Sequence, residues 1–263
     1  MKIEKHFKDV SRGTLDSLES YAKAVMEWNQ RINLTGAKSF EQFYQEQVLD
    51  NVCALKALEQ SILLKNIFDR HENEPQNESK NVQWLDIGSG SGLPGIVWAL
   101  LRPQEHFILL DSLNKRTTFL EYMKLHVKLD NVEIIRDRFE NIKWDNFSSK
   151  SNSINNSKSS KIKIWNHNNK GLSIFVSRGT AKADKIYSWA QKTAYQWKYW
   201  IVFSSLESHG SFVKLDEAQS FRENNEKNKK SEENLIKVGA IPYENIFLDD
   251  PKRSVLTVLV SPF

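Results

Sequence analysis

The sequence predicts an α/β protein built on a mostly parallel, seven-stranded sheet with helices on both faces, preceded by a helical extension. Two observations carry that expectation. From residue 82 onward, short apolar runs alternate with helix-length segments, the rhythm of strands joined by crossover helices. Before residue 65, apolar residues recur instead at three- and four-residue steps, the period of helices alone.

Taken in order, Leu15, Leu18, Tyr21, Ala22, Val25, Trp28 and Ile32 form an apolar stripe behind Thr14, which reads as the cap of the first helix. Ser39 with Gln42 three residues on has capping-box spacing and opens a second helix through Phe40, Phe43, Val48 and Leu55. Residues 1–65 are thus a helical extension. The polar, aperiodic stretch 66–81, interrupted by Pro75, is a linker, and 82–263 form the main domain. Strands are expected at 82–87, 106–111, 131–135, 172–176 and 199–203, with helices at 93–101, 115–129 and 181–195 between them. A closing pair near 243–248 and 254–260 reads as a hairpin, so the sheet should end antiparallel. Two polar stretches interrupt the rhythm. In 146–170, seven Ser, seven Asn and five Lys make 19 of 25 residues, too little apolar area to offset chain entropy, so a disordered insert is expected. Residues 217–233 mix charges of both signs and read as a solvated helix or loop.

Composition excludes several classes. With 40% hydrophobic residues, 8 Trp and 14 Phe in 263 residues, the chain has enough apolar bulk for a sizeable core, which rules out global disorder. One cysteine, Cys53, forms no internal disulfide, and six scattered histidines complete no Cys/His zinc cage, so no metal is expected. The longest apolar run, Leu93 to Leu101, is too short to span a bilayer, and the opening residues lack an apolar signal core, so the expectation is a cytoplasmic protein without a membrane partner. Lys and Arg exceed Asp and Glu by 37 to 33, a balance that permits an RNA partner without demanding one.

The chemistry sits where the first strand gives way to a helix, in Asp86-Ile87-Gly88-Ser89-Gly90-Ser91-Gly92-Leu93-Pro94-Gly95. Glycines at alternate positions let the backbone turn sharply and bring bare N–H groups against a ligand at a helix N-terminus. The dinucleotide fingerprint needs glycine at its sixth position, where this loop has Leu93. Asp86 is placed to take a cationic group, and Asp111, ending the next strand, to accept hydrogen bonds from both ribose hydroxyls. Against a merely structural turn, this acid-Gly-x-Gly-x-Gly loop with a second acid favours S-adenosylmethionine, and it disfavours an NAD oxidoreductase.

These residues, together with Leu101-Arg102-Pro103, Leu109-Leu110-Asp111-Ser112-Leu113-Asn114-Lys115-Arg116, Val176-Ser177-Arg178 and Trp28-Asn29-Gln30-Arg31-Ile32-Asn33-Leu34-Thr35, resemble the RsmG (GidB) family. The likeness runs in order from about Tyr21 to Ala190. It implies a Rossmann-like S-adenosylmethionine-dependent methyltransferase fold and transfer of a methyl group to guanine N7 of 16S ribosomal RNA, the partner being that RNA or the small ribosomal subunit and the protein a monomer. It further implies that Asp86, Gly88, Ser89, Gly90, Gly92 and Leu93 surround the cofactor, that Asp111 and Ser112 lie at its ribose and Phe139-Glu140 along its adenine, and that Arg178 contacts the cofactor or the acceptor end. Trp28, Asn33, Lys115, Arg116, Lys252 and Arg253 are the candidates for RNA contact.

Each candidate has a plainer reading. Phe139 and Trp28 could be core, Arg178 a salt-bridge partner, Lys115-Arg116 a solvated pair, Asn33 and Thr35 turn formers, and Asp50 solvated surface. Guanine N7 already presents an in-plane lone pair, so no general base is required and no catalytic residue is assigned beyond Arg178 as a candidate; alignment carries the rate. The sequence departs from the family where Glu46-Gln47 and Ser204-Ser205 replace basic residues and Ser91 replaces proline. Those losses keep two other readings open: a methyltransferase with another acceptor, and a non-catalytic RNA-binding module.

Overall fold

The computed structural model describes residues 10–61, 81–144, 161–162, 171–205, 207–214, 236–245, 248 and 253–261. Seven of its strands form one sheet: β1 (Asn81–Ile87), β2 (His106–Asp111), β3 (Val132–Arg136), β6 (Gly171–Arg178), β7 (Tyr199–Ser204), β8 (Lys237–Glu244) and β9 (Arg253–Val260), in the order β3-β2-β1-β6-β7-β9-β8. β3 through β7 run parallel, while β9 pairs antiparallel with both β7 and β8. The chain leaves β1 for β2 on one side and returns to β6 on the other, so the order reverses between β1 and β6. Ligands of open α/β sheets bind beyond the strand carboxyl ends at such a reversal.

Most strand bounds lie within two residues of their expected places, and the closing pair is antiparallel as expected, but its first strand is displaced. β8 begins at Lys237 and ends at Glu244, upstream of the expected 243–248. Gly239 and Pro242 read as breakers, yet β8 is the sheet's edge, where a missing N–H costs no ladder bond. Of the insert 146–170 only Lys161–Ile162 (β5) is described, pairing in parallel with Lys143–Trp144 (β4) where no strand is expected; the rest lies outside the described residues. The linker 66–81, apart from Asn81, and the stretch 217–233 fall outside the described residues.

Helix α1 spans Arg12–Asn29 with Ser11, not Thr14, as its cap: Ser11 Oγ accepts the Thr14 N–H at 3.1 Å. The apolar stripe marked the buried face and not the helix end, because the first turn, Arg12-Gly13, is solvent-facing. Ile32 lies beyond the helix. α2 (Phe40–Phe43) is capped by Ser39 as expected and runs through a π-helical turn, Tyr44–Val48, into α3 (Leu49–Gln60). α4 (Gly95–Leu101), α5 (Asn114–His126), α6 (Ala183–Lys192) and α7 (207–214) complete the described helices.

Alternation along β1 divides the interior in two. Trp84 faces a core shared with Trp98, Phe107 and Phe119, roofed by α1, α3, α4 and α5. Leu85 and Ile87 face the opposite core, with Phe139, Phe175, Trp189 and Trp200 beneath α6 and α7. Both faces are covered, as a parallel sheet requires. Full burial of each large apolar side chain contributes about 1.5–3 kcal/mol.

One side chain closes the corner between α4 and β2. Asn131 Nδ2 lies 3.1 Å from the Ala99 carbonyl, 3.2 Å from that of Arg102 and 3.1 Å from that of Glu105. Replacing Asn131 with Ala leaves those acceptors without their donor. Urea unfolding should show a loss of about 1–3 kcal/mol with an unchanged slope.

Candidate functional site

The glycine loop after β1 is tied down at every side. Gly88 and Ser89 donate backbone N–H groups to the Leu110 carbonyl at 2.7 and 3.1 Å, fastening the turn to β2. Asp111, at the end of β2, accepts the Gly90 N–H on Oδ2 at 3.0 Å and the Leu113 N–H on Oδ1 at 2.9 Å. Asp86, at the end of β1, accepts the Gly95 N–H on Oδ2 at 3.1 Å. From the extension, Tyr21 donates its hydroxyl proton to the Ser91 carbonyl at 2.9 Å. Thr180, just past β6, donates to the Ile87 carbonyl at 2.6 Å.

Two glycines are there for distinct reasons. A Cβ on Gly95 would lie 2.7 Å from Asp86 Oδ2, so only glycine lets this amide reach that carboxylate. Gly90, at φ +59°, would direct a Cβ into open space, its nearest neighbour being the Gly88 carbonyl at 3.8 Å. That opening is where a ligand can lie against bare backbone.

Asp86 is almost fully buried, and its Oδ1 finds no hydrogen-bond partner among the described residues. Burial raises its pKa to about 7, the Gly95 N–H and the Ser89 hydroxyl pulling the other way and the charge of Asp111 adding to the rise. A buried carboxyl with one vacant oxygen is suited to a cationic group.

Beside the loop opens a cleft of about 330 Å³. Of the expected cofactor residues, Gly88, Asp111, Ser112, Phe139 and Glu140 line it, as does Arg116, expected at RNA, whereas Asp86 and Gly90 are not among its lining residues. The Arg116 guanidinium stands 3.5 Å from Asp111 Oδ2. The Phe139 ring belongs to the aromatic core, 5.1 Å from Trp189 and 5.5 Å from Trp200 between centroids, and it also lines the cleft. Glu140 is tied to Lys185 Nζ at 3.0 Å.

Several expected residues go elsewhere. Leu93 is buried in the core beneath α1 rather than lining the cleft, and Ser89 turns its hydroxyl back onto the Asp86 carbonyl at 3.0 Å. Gly92 lies against Ile96 and Leu120, where a side chain would collide. Arg178 is not among the cleft's lining residues. Its Nη1 pairs with Asp50 Oδ2 at 2.9 Å, which also accepts the Tyr243 hydroxyl at 3.2 Å, and its guanidinium lies 4.9 Å from the Phe203 ring centroid. Asp50 is therefore buried structure and not solvated surface. Asn29 serves a turn, accepting the Leu34 and Thr35 N–H groups on Oδ1 at 2.8 and 3.0 Å, while Asn33 and Lys115 are exposed. Trp28 packs 5.4 Å from Phe119 and 5.2 Å from Tyr122. Lys252 and the side chain of Arg253 lie outside the described residues.

Tyr21, Thr180 and Gly95 were not singled out from the sequence. Tyr21 looked like one more member of an apolar stripe, and nothing local marks Thr180. The positions that depart from the RsmG pattern have structural occupations: Gln47 Nε2 donates to Thr35 Oγ1 at 2.9 Å, and Ser205 Oγ accepts the Ser208 N–H at 3.2 Å, capping α7.

The reversed sheet order, the antiparallel penultimate strand and the acid-glycine loop define a Rossmann-like fold of the methyltransferase type. The chain belongs to the GidB family, rRNA small subunit methyltransferase G, whose family model matches residues 14–237. It is 41% identical over 124 residues to "Ribosomal RNA small subunit methyltransferase G" of Helicobacter pylori strain HPAG1, covering 47% of this chain and 58% of that protein. It is 31% identical over 137 residues to the protein of the same name from Pseudomonas syringae pv. tomato, covering 52% and 55% respectively. The match thus spans somewhat more than half the length of these relatives. Among solved structures, the N-terminal domain of human METTL16 in complex with SAH superposes with a TM-score of 0.52 at 8% identity over 91% of this chain and 80% of that one, a likeness of fold alone.

The titration of Asp86 gives a test. Its folded pKa lies above the unfolded value, so the folded state holds the proton more tightly, and its contribution falls as pH rises through the window from about 4 to about 7. Asp86→Asn lacks this group. The stability of the ligand-free wild type relative to Asp86→Asn should decline between pH 4 and pH 7 and then level off, as read by denaturant unfolding at each pH.

Proposed function

We propose that the protein transfers a methyl group from S-adenosylmethionine to N7 of a guanine in 16S ribosomal RNA, acting as a cytoplasmic monomer on that RNA or on the small ribosomal subunit. The observation that carries the reading is the open-faced glycine loop held between two buried strand-end carboxylates at the reversal of sheet order.

The residues present fit the cofactor. Gly90 leaves space over bare backbone, Asp86 offers a vacant buried carboxyl oxygen to an ammonium group, and Asp111 stands at the end of β2 where ribose hydroxyls would lie. Phe139 and Glu140 supply an apolar wall and a polar rim for a flat base. When bound, the cofactor supplies an electrophilic methyl group. Because guanine N7 carries a free lone pair, the chain need not remove a proton from the acceptor; it must hold two reactants in line and exclude water. Effective molarity from such alignment is worth roughly 7–11 kcal/mol. The described residues show no cluster of His, Cys, Asp and Glu fit for a metal ion, and no described helix is long and apolar enough to cross a membrane.

Nucleoside mass analysis of small-subunit RNA from cells with and without the protein tests the acceptor: 7-methylguanosine should fall on deletion, and an unchanged level removes the reading. For the cofactor, Gly90→Val should lose some stability, since φ +59° is strained for a branched side chain, yet its Cβ meets nothing closer than 3.8 Å, so the folded protein should no longer bind S-adenosylmethionine by calorimetry because the new side chain fills ligand space. Gly92→Val should instead fail to fold, because its side chain meets Ile96 and Leu120.

A further inference from the structure

The first turn of α4 departs from an ordinary helix in one bond. In a helix each N–H pairs with the carbonyl four residues back, and Ile96 does so, reaching the Gly92 carbonyl at 2.7 Å. By the same rule the Gly95 N–H belongs to the Ser91 carbonyl. It goes instead to Asp86 Oδ2 at 3.1 Å, and the Ser91 carbonyl accepts the Tyr21 hydroxyl at 2.9 Å. Ser91 and Tyr21 are both buried, where a carbonyl without a donor is costly.

Two acceptors therefore compete for one amide. The neighbouring loop amides are committed: those of Gly88 and Ser89 to the Leu110 carbonyl, that of Gly90 to Asp111, and those of Gly92 and Leu93 to the Ser89 carbonyl, while Pro94 has none. Without the Tyr21 hydroxyl, the Ser91 carbonyl is stranded unless the Gly95 amide turns back to it. Asp86 would then lose that amide.

We infer that Tyr21 is a positioning residue for the cofactor: by occupying the Ser91 carbonyl, its hydroxyl keeps the Gly95 amide on Asp86 and so keeps that carboxylate ready for an ammonium group. The inference rests on the proposed cofactor and adds to it the bond through which the helical extension governs cofactor affinity.

The charge on Asp86 makes the effect depend on pH. Asp111, on β2, opposes its ionisation. Arg116 is drawn to Asp111, Arg178 at the end of β6 is tied to Asp50, and α4 carries no titratable side chain. From α1 the facing group is Tyr21, and burial pushes its phenol pKa up, so it remains a donor. Protonated Asp86 is the weaker acceptor and yields the amide to a stranded Ser91 carbonyl, whereas ionised Asp86 reclaims it only by stranding that carbonyl again. Loss of the hydroxyl thus makes ionisation harder and moves it to a higher pH.

The test compares the wild type with Tyr21→Phe, which keeps the ring beside Phe43 and removes only the hydroxyl. In the ligand-free protein the nuclear magnetic resonance signal of the Gly95 amide should titrate with Asp86, its midpoint lying about one pH unit higher in the variant. By calorimetry with S-adenosylmethionine, the variant should bind about tenfold more weakly near pH 6 and equally near pH 9, where Asp86 is ionised in both proteins. On an Asp86→Asn background, the effect of Tyr21→Phe should no longer vary with pH. An unmoved Gly95 midpoint overturns the inference. So does a loss of affinity that is the same at every pH, which packing alone would produce, and so does failure of Tyr21→Phe to fold, which would assign the hydroxyl to the fold as a whole. A wild type that binds no S-adenosylmethionine counts against the proposed function instead, a result that the ligand-free titration keeps separate.

Discussion

Two carboxylates holding two amides fix the geometry of this site. The Gly90 and Gly95 N–H groups point at Asp111 and Asp86, acids that end adjacent parallel strands and are both buried. Hydrogen bonds to charged acceptors are worth about 1.5–3 kcal/mol each, which is enough to hold a loop in one conformation. The arrangement also dictates sequence, since Gly95 must lack a Cβ for its amide to reach Asp86. Sheet order then brings the two acids side by side, because β2 lies next to β1. The cost is carried by Asp86, whose burial opposes its charge and leaves one oxygen without a partner. A cation supplied by a ligand would relieve that cost, so the unpaired oxygen of Asp86 favours a cationic ligand.

The second constraint is that the extension is built into the site. Tyr21 grips the loop through the Ser91 carbonyl, Asp50 holds the guanidinium at the end of β6, Asn245 Nδ2 donates to the Gln45 carbonyl, and Trp98 donates its indole N–H to the Asn51 carbonyl. These bonds join α1, the π-helical turn and α3 to the carboxyl edge of the sheet at three points and to α4 at a fourth. Removing one partner of a largely buried ion pair such as Asp50–Arg178 strands the other charge, so the extension and the sheet edge depend on each other.

Much of this was legible in the sequence, and the failures have physical causes. Hydrophobic period located β1, β2, β3, β6 and β7 because buried parallel strands are near-continuous apolar runs. It misplaced β8, where a proline and a glycine are tolerated only because the strand is an edge, a fact of topology and not of the segment. The loop, Asp86 and Asp111 announced themselves through glycine spacing and strand-end acids. Tyr21, Thr180 and the Asp50–Arg178–Tyr243 cluster did not, since each acts across 70 or more residues of chain and none departs from the local pattern it sits in. Ser11 was overlooked because an apolar stripe reports which face is buried and is silent about where the helix begins.

The departures from the RsmG pattern gain a meaning from the same geometry. Gln47 ties the turn at Thr35, and Ser205 caps α7, so the charges absent at these positions were exchanged for bonds that fix local structure. If positive charge at those places serves to hold an anionic acceptor, this chain must hold it elsewhere. The cleft rim offers Arg116, Arg138 and Lys185, of which Arg116 is drawn toward Asp111 and Lys185 toward Glu140. Cations already facing carboxylates are weak claims on a phosphate.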